Sequence, residues 1–407
     1  MSTSTTLHPV ATGVPVLGDD EARAVAADLA PLLAAGAVER DLRRELPASE
    51  LDSVTRAGLL ALTVPAEHGG ADLSTATLVE VVRVLATGDP NVAQIPHSHF
   101  VYVNALRHQG TPAQRRHLFG EVLAGKRFGN AQSELGTKHV RDHRTTLTHD
   151  PERPGRWRLD GQKGYCTGAL LADWVPVLAH RDVDGPMVVA WVERHAPGVT
   201  VVDDWDGLGQ RTTASGRVTL VDVKVPDALV TPYHLTFTGP QTYGAFGQVL
   251  HAAIDAGIAR AALVDAAVFV TTRSRPYPDA GVERHADDPL VVQAVGEMEL
   301  QVRGAEALLA HAAAAVDAAD AHLTGQSAAT ASLAVAAARA ATSRAAVEVS
   351  SRLFEVCGTR SAAAGAALDR HWRNARVHTL HDPEAQKVRV LGQWALDGTL
   401  PTRHGHL

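Results

Sequence analysis

Apolar residues recur at helical spacing from the first acidic pair of the chain onward. In DDEARAVAADLAPLLAAGAVERDLRREL, Leu29, Leu32, Leu33 and Val38 recur at roughly helical spacing, and Asp19 and Asp20 stand where N-terminal caps belong. Pro47 opens a second helix through ASELDSVTRAGLLAL, and VPAEHGG, at 64–70, reads as a turn. STATLVEVVRVLA predicts a third helix capped by Ser74. VYVNALRHQG and TPAQRRHLFGEVLAG continue the helical pattern, so residues 1–125 form a helical domain with no strand-like alternation.

The period then changes. Across 126–235, short β-rich runs (RTTLTHD, GRWRLDGQKGYCT, WVPVLAHRD, MVVAWVERH) alternate with turns at Gly155, Gly161, Gly185 and Gly198. In VDVKVP, Val221, Val223 and Val225 are expected on one face and Asp222 and Lys224 on the other. This predicts a central antiparallel β-domain of sandwich or barrel type. From 236 to 407 the pattern is helical again, with an alanine-rich stretch from Gln326 to Gly358 whose small side chains let helices approach closely. The expectation is a bundle of four or five long helices with faces left for subunit contacts. The fold class is mainly α with a β-domain.

Composition narrows the function classes. At 407 residues the chain is long enough for two or three packed domains. A net charge of -7 without long like-charge runs argues against nucleic acid as a partner. Cys166 and Cys357 lie far apart and form no CxxC pair, so neither a disulfide framework nor a zinc site is indicated. No run of about 18 apolar residues predicts a membrane span, and the opening residues lack a charged segment followed by an apolar one, so no secretory signal is expected. A cytoplasmic protein is the simplest expectation.

Five segments carry residues suited to chemistry. The densest runs from Asp369 to Pro383, where His378 and His381 are three apart and share a face if helical. Pro383 marks a helix break there, and a histidine beside Asp382 can donate a proton, although a solvated basic helix has the same composition. In Pro96-His97-Ser98-His99-Phe100, two histidines two apart cannot both enter one pocket. Gly129–Gly136 (GNAQSELG) sits at the junction of helices and β-domain, where small polar groups suit the edge of a planar heterocycle. Tyr165-Cys166-Thr167-Gly168 ends a strand with a hydroxyl and a glycine that permits close backbone approach. Arg275, before Pro276, and Arg360 can each clamp a phosphate or simply sit at a helix end. No GxGxxG, Walker loop or HExxH is present, so neither Rossmann or P-loop nucleotide binding nor a metal site is expected.

In the order VPAEHGG, FGNAQSELG, RLDGQKGYCTGALLADW, DDWDGLGQRTTASG, VKVP, SRPYPDAGVE and DRHWRNARVHTLHDP, these segments resemble the acyl-CoA dehydrogenase superfamily over nearly the whole chain. GNAQSELGTKHVRD, YCTGAL and HTLHDP look closest to its flavin-dependent monooxygenase branch, which includes dibenzothiophene monooxygenase and the bacterial sulfur-acquisition oxidoreductases of sulfone metabolism. The resemblance implies a homotetramer using reduced FMN from a separate NAD(P)H-dependent flavin reductase, with FAD as the other possible flavin. Oxygen would add at flavin C4a, and the hydroperoxide would pass one oxygen to sulfur, nitrogen or carbon of a small substrate. The residues matching family positions are Asn130, Ser133 and Thr167 at the flavin, Arg275 and Arg360 near its phosphate, and His99 and His381 around its reactive face. Trp205 matches a pocket-lining position.

One departure separates this chain from the dehydrogenases, many of which carry a catalytic glutamate in a Tyr-Glu-Gly-Thr segment. Here that segment reads His381-Asp382-Pro383-Glu384, so the α-proton base is expected to be lost, with Asp382 orienting His381 instead. The readings in competition are a monooxygenase acting on a small organosulfur compound, an FAD-dependent acyl-CoA dehydrogenase, an N-hydroxylase of an amine or amino sugar, and a helical scaffold without flavin.

Overall fold

A computed structural model describes residues 13–139, 142–402 and 404–405. Six helices come first: α1 (Asp19–Arg43), α2 (Ala48–Arg56), α3 (Thr75–Gly88), α4 (Pro90–Gln94), α5 (His97–Gln109) and α6 (Pro112–Leu123). Seven strands follow: β1 (Thr146–His149), β2 (Arg156–Lys163), β3 (Trp174–Arg181), β4 (Met187–Glu193), β5 (Val199–Val202), β6 (Arg217–Pro226) and β7 (Val230–Thr231). The chain closes with α7 (Tyr243–Thr272), α8 (Pro289–Ala321), α9 (Gly325–Cys357), α10 (Asp369–His378) and α11 (Glu384–Asp397). Three of these last five are long, at 30, 33 and 33 residues, and two are short, where four or five long ones were expected.

The face that α1 buries is an alanine stripe. Ala22, Ala26, Ala30, Leu33 and Ala37 point inward, whereas Leu32 is 68% exposed. Small side chains let α3 approach so closely that a Cβ on Gly88 would meet the Ala30 carbonyl oxygen at 2.3 Å. Gly18 is the N-cap of α1, and Asp19 and Asp20 lie in its first turn, where they complement the helix dipole. Ser74 caps α3 as expected, accepting from the Thr77 N–H.

Helix α7 is central. From Tyr243 to Ala259 nearly every residue is buried, because α7 is covered by α3 and α5 on one side and by α8, α9 and α10 on the other. One continuous core therefore joins the first and last helical segments, through Leu78, Leu85, Val249, Ile254, Val302 and Val349. Gly257 marks the α3–α7 crossing: a Cβ there would lie 2.5 Å from that of Ala86.

The strands form one seven-stranded sheet in the order β5-β6-β2-β1-β3-β4-β7. Every pairing is antiparallel except β1 with β3, and the described strands hydrogen-bond as a single open sheet rather than as two sheets or a barrel. The predicted alternation in β6 breaks at Asp222, which has φ 49° where the pairing with β2 shifts register. This bulge turns Val221 out to 63% exposure, while Val218 and Leu220 before it and Val223 and Val225 after it stay buried. An aromatic layer seats the sheet on α5 and α6. The Trp191 ring meets Tyr102 at 5.6 Å and Phe128 at 5.0 Å, edge to face.

The connection between β5 and β6 is pinned to the helices. Arg44 Nε donates to the Trp205 carbonyl, Arg373 Nη1 to the Leu208 carbonyl, and the Gln210 N–H to Asn374 Oδ1 at 2.7 Å. Gly209 makes this possible, since a Cβ there would stand 1.9 Å from the Arg373 carbonyl oxygen and 2.7 Å from the Asn374 nitrogen, both backbone atoms. Gly209→Ala is therefore expected to destabilise the protein by about 1–3 kcal/mol and to change the emission of Trp205. An unaltered denaturation midpoint with unaltered emission would show that the loop seats differently.

Candidate active site

Two groups of polar residues bear on the chemistry, one on the sheet side and one among the helices. The first is built from the segment after α6 and the end of β2. Phe128 and Ala131 bridge to β3 in parallel, which lays residues 128–131 along the sheet. Asn130 Nδ2 donates to the Tyr165 carbonyl at 3.3 Å, and the Thr167 N–H donates to the same oxygen at 2.9 Å. The Ser133 carbonyl accepts from the Gly164 N–H, so Asn130, Ser133 and Thr167 lie side by side. Thr167 Oγ1 is 2.7 Å from Ser215 Oγ, which is 2.7 Å from Thr213 Oγ1, extending the row of hydroxyls. Tyr165 adopts φ 55° and is 54% exposed, with its ring edge-on to Trp205 at 6.1 Å. Asn130 Oδ1 is buried without a hydrogen-bond partner among the described residues. A buried acceptor of that kind costs about 1–3 kcal/mol, and it fits a donor N–H on the edge of a planar heterocycle.

The second group is a cluster of imidazoles. Helix α10 ends at His378, and His381 lies in the turn before Pro383, which caps α11. The His381 N–H donates to the His378 carbonyl at 3.1 Å. His378 is buried and His381 is exposed, and both lie against His251 of α7, with ring centroids 5.1 and 4.0 Å away. His97, the first residue of α5, stacks on His251 at 3.9 Å and donates from Nε2 to the Gly247 carbonyl. Burial pushes His97 down to about 4 and holds His251 well below the usual imidazole range.

Beneath the cluster lies a charged floor. His378 Nδ1 is 2.5 Å from Asp255 Oδ1, and Asp255 Oδ2 accepts from Arg339 Nη1 at 2.5 Å and Ser343 Oγ at 2.9 Å. His251 and Asp255 are four apart on α7, as are Arg339 and Ser343 on α9, so each pair shares one helix face and the two faces meet. The sequence reading missed His251 and Asp255. Their signal is two titratable residues at i and i+4 inside the otherwise apolar run VLHAAIDAGIA.

Other expected residues fall in different places. His99 does not join this cluster by ring stacking, as His97 does. Its Nδ1 accepts from the Phe128 N–H, its Nε2 donates to the Leu60 carbonyl, and its ring packs on Phe100 and Phe128. Both nitrogens are thus engaged by backbone, and burial pushes His99 down to about 4. Asp382 is ion-paired with the buried Lys387 at 2.5 Å. Arg360 Nη1 donates to the Arg273 carbonyl at 3.0 Å, two residues before Arg275, and Arg275 and Arg360 are both exposed. They lie beyond the far end of α7, roughly 30 Å from His251 at about 1.5 Å per residue. Among the described residues, no group of three or more His, Cys, Asp or Glu could hold a metal ion, and no helix is long and apolar enough to cross a membrane.

Comparison with known proteins agrees with this architecture. The family model for the acyl-CoA dehydrogenase N-terminal domain matches residues 19–126, and that for the acyl-CoA dehydrogenase C-terminal domain matches residues 249–383. Dibenzothiophene monooxygenase of Rhodococcus qingshengii is 32% identical over 400 residues, spanning 94% of this chain and 95% of the relative. The probable FMNH2-dependent monooxygenase SfnC of Pseudomonas putida is 32% identical over 387 residues, spanning 93% and 96%. The crystal structure of TdsC from Paenibacillus sp. A11-2 with FMN and indole superposes with a TM-score of 0.89 at 33% identity, over 95% of this chain and 99% of that one. With both terminal domains matched and such relatives along nearly its full length, the chain belongs to the acyl-CoA dehydrogenase superfamily, in its flavin-dependent monooxygenase branch.

Proposed function

We propose that this enzyme takes reduced FMN from a separate NAD(P)H-dependent flavin reductase and adds one oxygen atom of dioxygen to the sulfur of a small organosulfur compound. Reduced flavin anion, dioxygen, sulfur compound and one proton then give oxidised flavin, S-oxygenated product and water. The observation that carries this reading is the pair of residues at the turn after α10. His381 offers an exposed imidazole at 4.0 Å over His251, and Asp382, where many dehydrogenases place their catalytic carboxylate, is tied to Lys387. The site thus presents imidazoles that hold and donate protons rather than a free carboxylate that removes one. The names of the relatives, dibenzothiophene monooxygenase and FMNH2-dependent monooxygenase, support the substrate class and the cofactor.

FMN, when bound, supplies the two electrons that activate dioxygen. Asn130 and Thr167, with Ser133 beside them, hold the edge of its ring system, and Asn130 Oδ1 gains the partner it lacks. Tyr165 and Trp205 wall the substrate side and exclude water. His381 protonates the departing oxygen, and His97, rather than His99, is its partner from α5. Because Arg275 and Arg360 sit far along α7 from these groups, they meet the flavin phosphate of another copy in a homo-oligomer, with a homotetramer as the expected form.

Arg360→Ala is expected to weaken FMN binding about tenfold to a hundredfold, the loss of one charge-assisted hydrogen bond, with the monomer's thermal midpoint little changed. Fluorescence titration with FMN measures it, and native affinity in that variant would remove Arg360 from the site. The function itself is tested by supplying the enzyme with reductase, NAD(P)H and FMN. Dioxygen consumption giving S-oxygenated product supports the reading, whereas tightly held FAD with oxidation of an acyl-CoA sinks it.

A further inference from the structure

Four buried groups beneath His381 are not explained by holding a flavin. Asp255, Arg339 and His378 each have side chains 2% exposed or less, and His251 is 2% exposed. Two of the hydrogen bonds fix where protons sit. Asp255 is a carboxylate, paired with Arg339, so His378 must donate to it from Nδ1. His378 Nε2 and His251 Nδ1 are 3.0 Å apart and share one proton between them. That leaves His251 Nε2, which is buried and has no hydrogen-bond partner among the described residues. A buried nitrogen without a partner at the end of a hydrogen-bonded chain is a terminus that lacks its exchanging group.

We propose that Asp255, His378 and His251 form a proton relay whose outer end, Nε2 of His251, stores and returns the proton that the oxygenation consumes. The relay rests on the monooxygenase reading for its purpose, but its chemistry is a property of this chain. In one state both rings are neutral, and His251 donates from Nδ1 to His378 Nε2. In the other, a proton has bonded to His251 Nε2 and the shared proton has moved from His251 Nδ1 to His378 Nε2. The positive charge then rests on His378, 2.5 Å from the Asp255 carboxylate. Running backwards, the N–H bond at His251 Nε2 breaks and one proton leaves toward His381. No electrons are transferred: loading makes the His251 Nε2–H and His378 Nε2–H bonds and breaks the His251 Nδ1–H bond together with the bond that held the incoming proton on its donor, an acid such as protonated His381 or hydronium, and release reverses each of these.

The surroundings set the bias. His97 from α5, Arg339 from α9, His378 from α10 and His381 from the following turn all face His251, and each disfavours charge on it. Asp255 is the one carboxylate in contact with the relay among the described residues, and Ser343 fixes its second oxygen. His251 is therefore biased toward its neutral form, and an anionic flavin nearby opposes that bias, because a negative charge favours imidazolium. Ser343 and Arg339 are positioning residues; His251 is the group that exchanges protons with His381 above it.

Two measurements on the native full chain and on His251→Gln, His378→Gln and Asp255→Asn test this. Nitrogen NMR of the histidine rings, in protein without flavin, should show His251 and His378 of the native chain titrating in one shared step. His378→Gln should shift the His251 titration. In turnover, the ratio of S-oxygenated product to hydrogen peroxide should follow a single ionisation in the native enzyme and become flat with pH in His251→Gln and His378→Gln, with FMN affinity retained. A structural role predicts parallel pH profiles at lower amplitude, and that result, or independent titration of the two rings in the native chain, overturns the relay. Asp255→Asn leaves Arg339 unpaired and is expected to be unstable, so the two histidine variants decide the matter. If native enzyme oxygenates no sulfur compound at any pH, the functional reading fails, and the NMR coupling alone then judges the relay.

Discussion

His381→Ala is expected to keep the fold and FMN binding while losing oxygen transfer by about a hundredfold or more, the usual range for removing a general acid. Reduced flavin then reoxidises to hydrogen peroxide instead of giving product. The structural cost is small because His381 is exposed and lies in a turn outside α10, so its removal leaves no cavity in the core. The chemical cost is large because His381 is the exposed imidazole set against His251, with ring centroids 4.0 Å apart. Product and peroxide measured together, per reduced flavin consumed, read the partition directly. An unchanged product yield would remove His381 from the mechanism.

The largest expected stability effect lies directly below. Asp255→Asn strips the buried Arg339 of its counter-charge and should cost about 3–5 kcal/mol, as breaking a buried pair from one side does. A second change, Arg339→Met, should recover much of that loss, since an apolar group leaves no buried charge. The pH dependence follows from signs. Burial alone would raise the Asp255 carboxyl, but His378 and Arg339 together outweigh it, so its folded value lies below the usual carboxylate range. The group's contribution is then full above the unfolded value near 4 and is lost as pH falls through the folded one. Denaturant midpoints of native and Asp255→Asn protein should therefore converge in acid. A gap that stays constant down to low pH would mean that Asp255 is not the ion that Arg339 requires.

Most of the architecture was legible because period and turn chemistry agree with it. Ser74 capping α3, the turn at 64–70 and the change of period after α6 are local features, and local physics decided them. Where the pattern misled, a neighbour overrode it. Val221 lost its place in the alternation to the bulge at Asp222, which no count of valines reveals. In α1 the leucines drew attention, but the alanines face the core because α3 passes too close for larger side chains. The single parallel pairing of β1 with β3 is a matter of topology, not of either strand's sequence.

The site was legible in halves. Asn130, Ser133, Thr167 and Trp205 are grouped as the ordered segments suggested, through the Tyr165 carbonyl and its neighbours. His97 and His99 were rightly expected to point different ways, but which one reaches the imidazole cluster depends on how α5 is rotated against α7, a tertiary fact. His251 and Asp255 stayed hidden because they sit singly in an apolar helix, and their meaning appears only when α9 and α10 bring Arg339 and His378 to them.

In the proposed reaction, one atom of dioxygen ends on a sulfur substrate. Its most direct test supplies isotopically labelled dioxygen to the enzyme with FMN, a flavin reductase and NAD(P)H, and follows a panel of small organosulfur compounds by mass spectrometry. The expected result is an S-oxygenated product carrying one labelled oxygen, formed only when reduced FMN is present. Labelled hydrogen peroxide in full proportion to flavin consumed, with no labelled organic product, would contradict it.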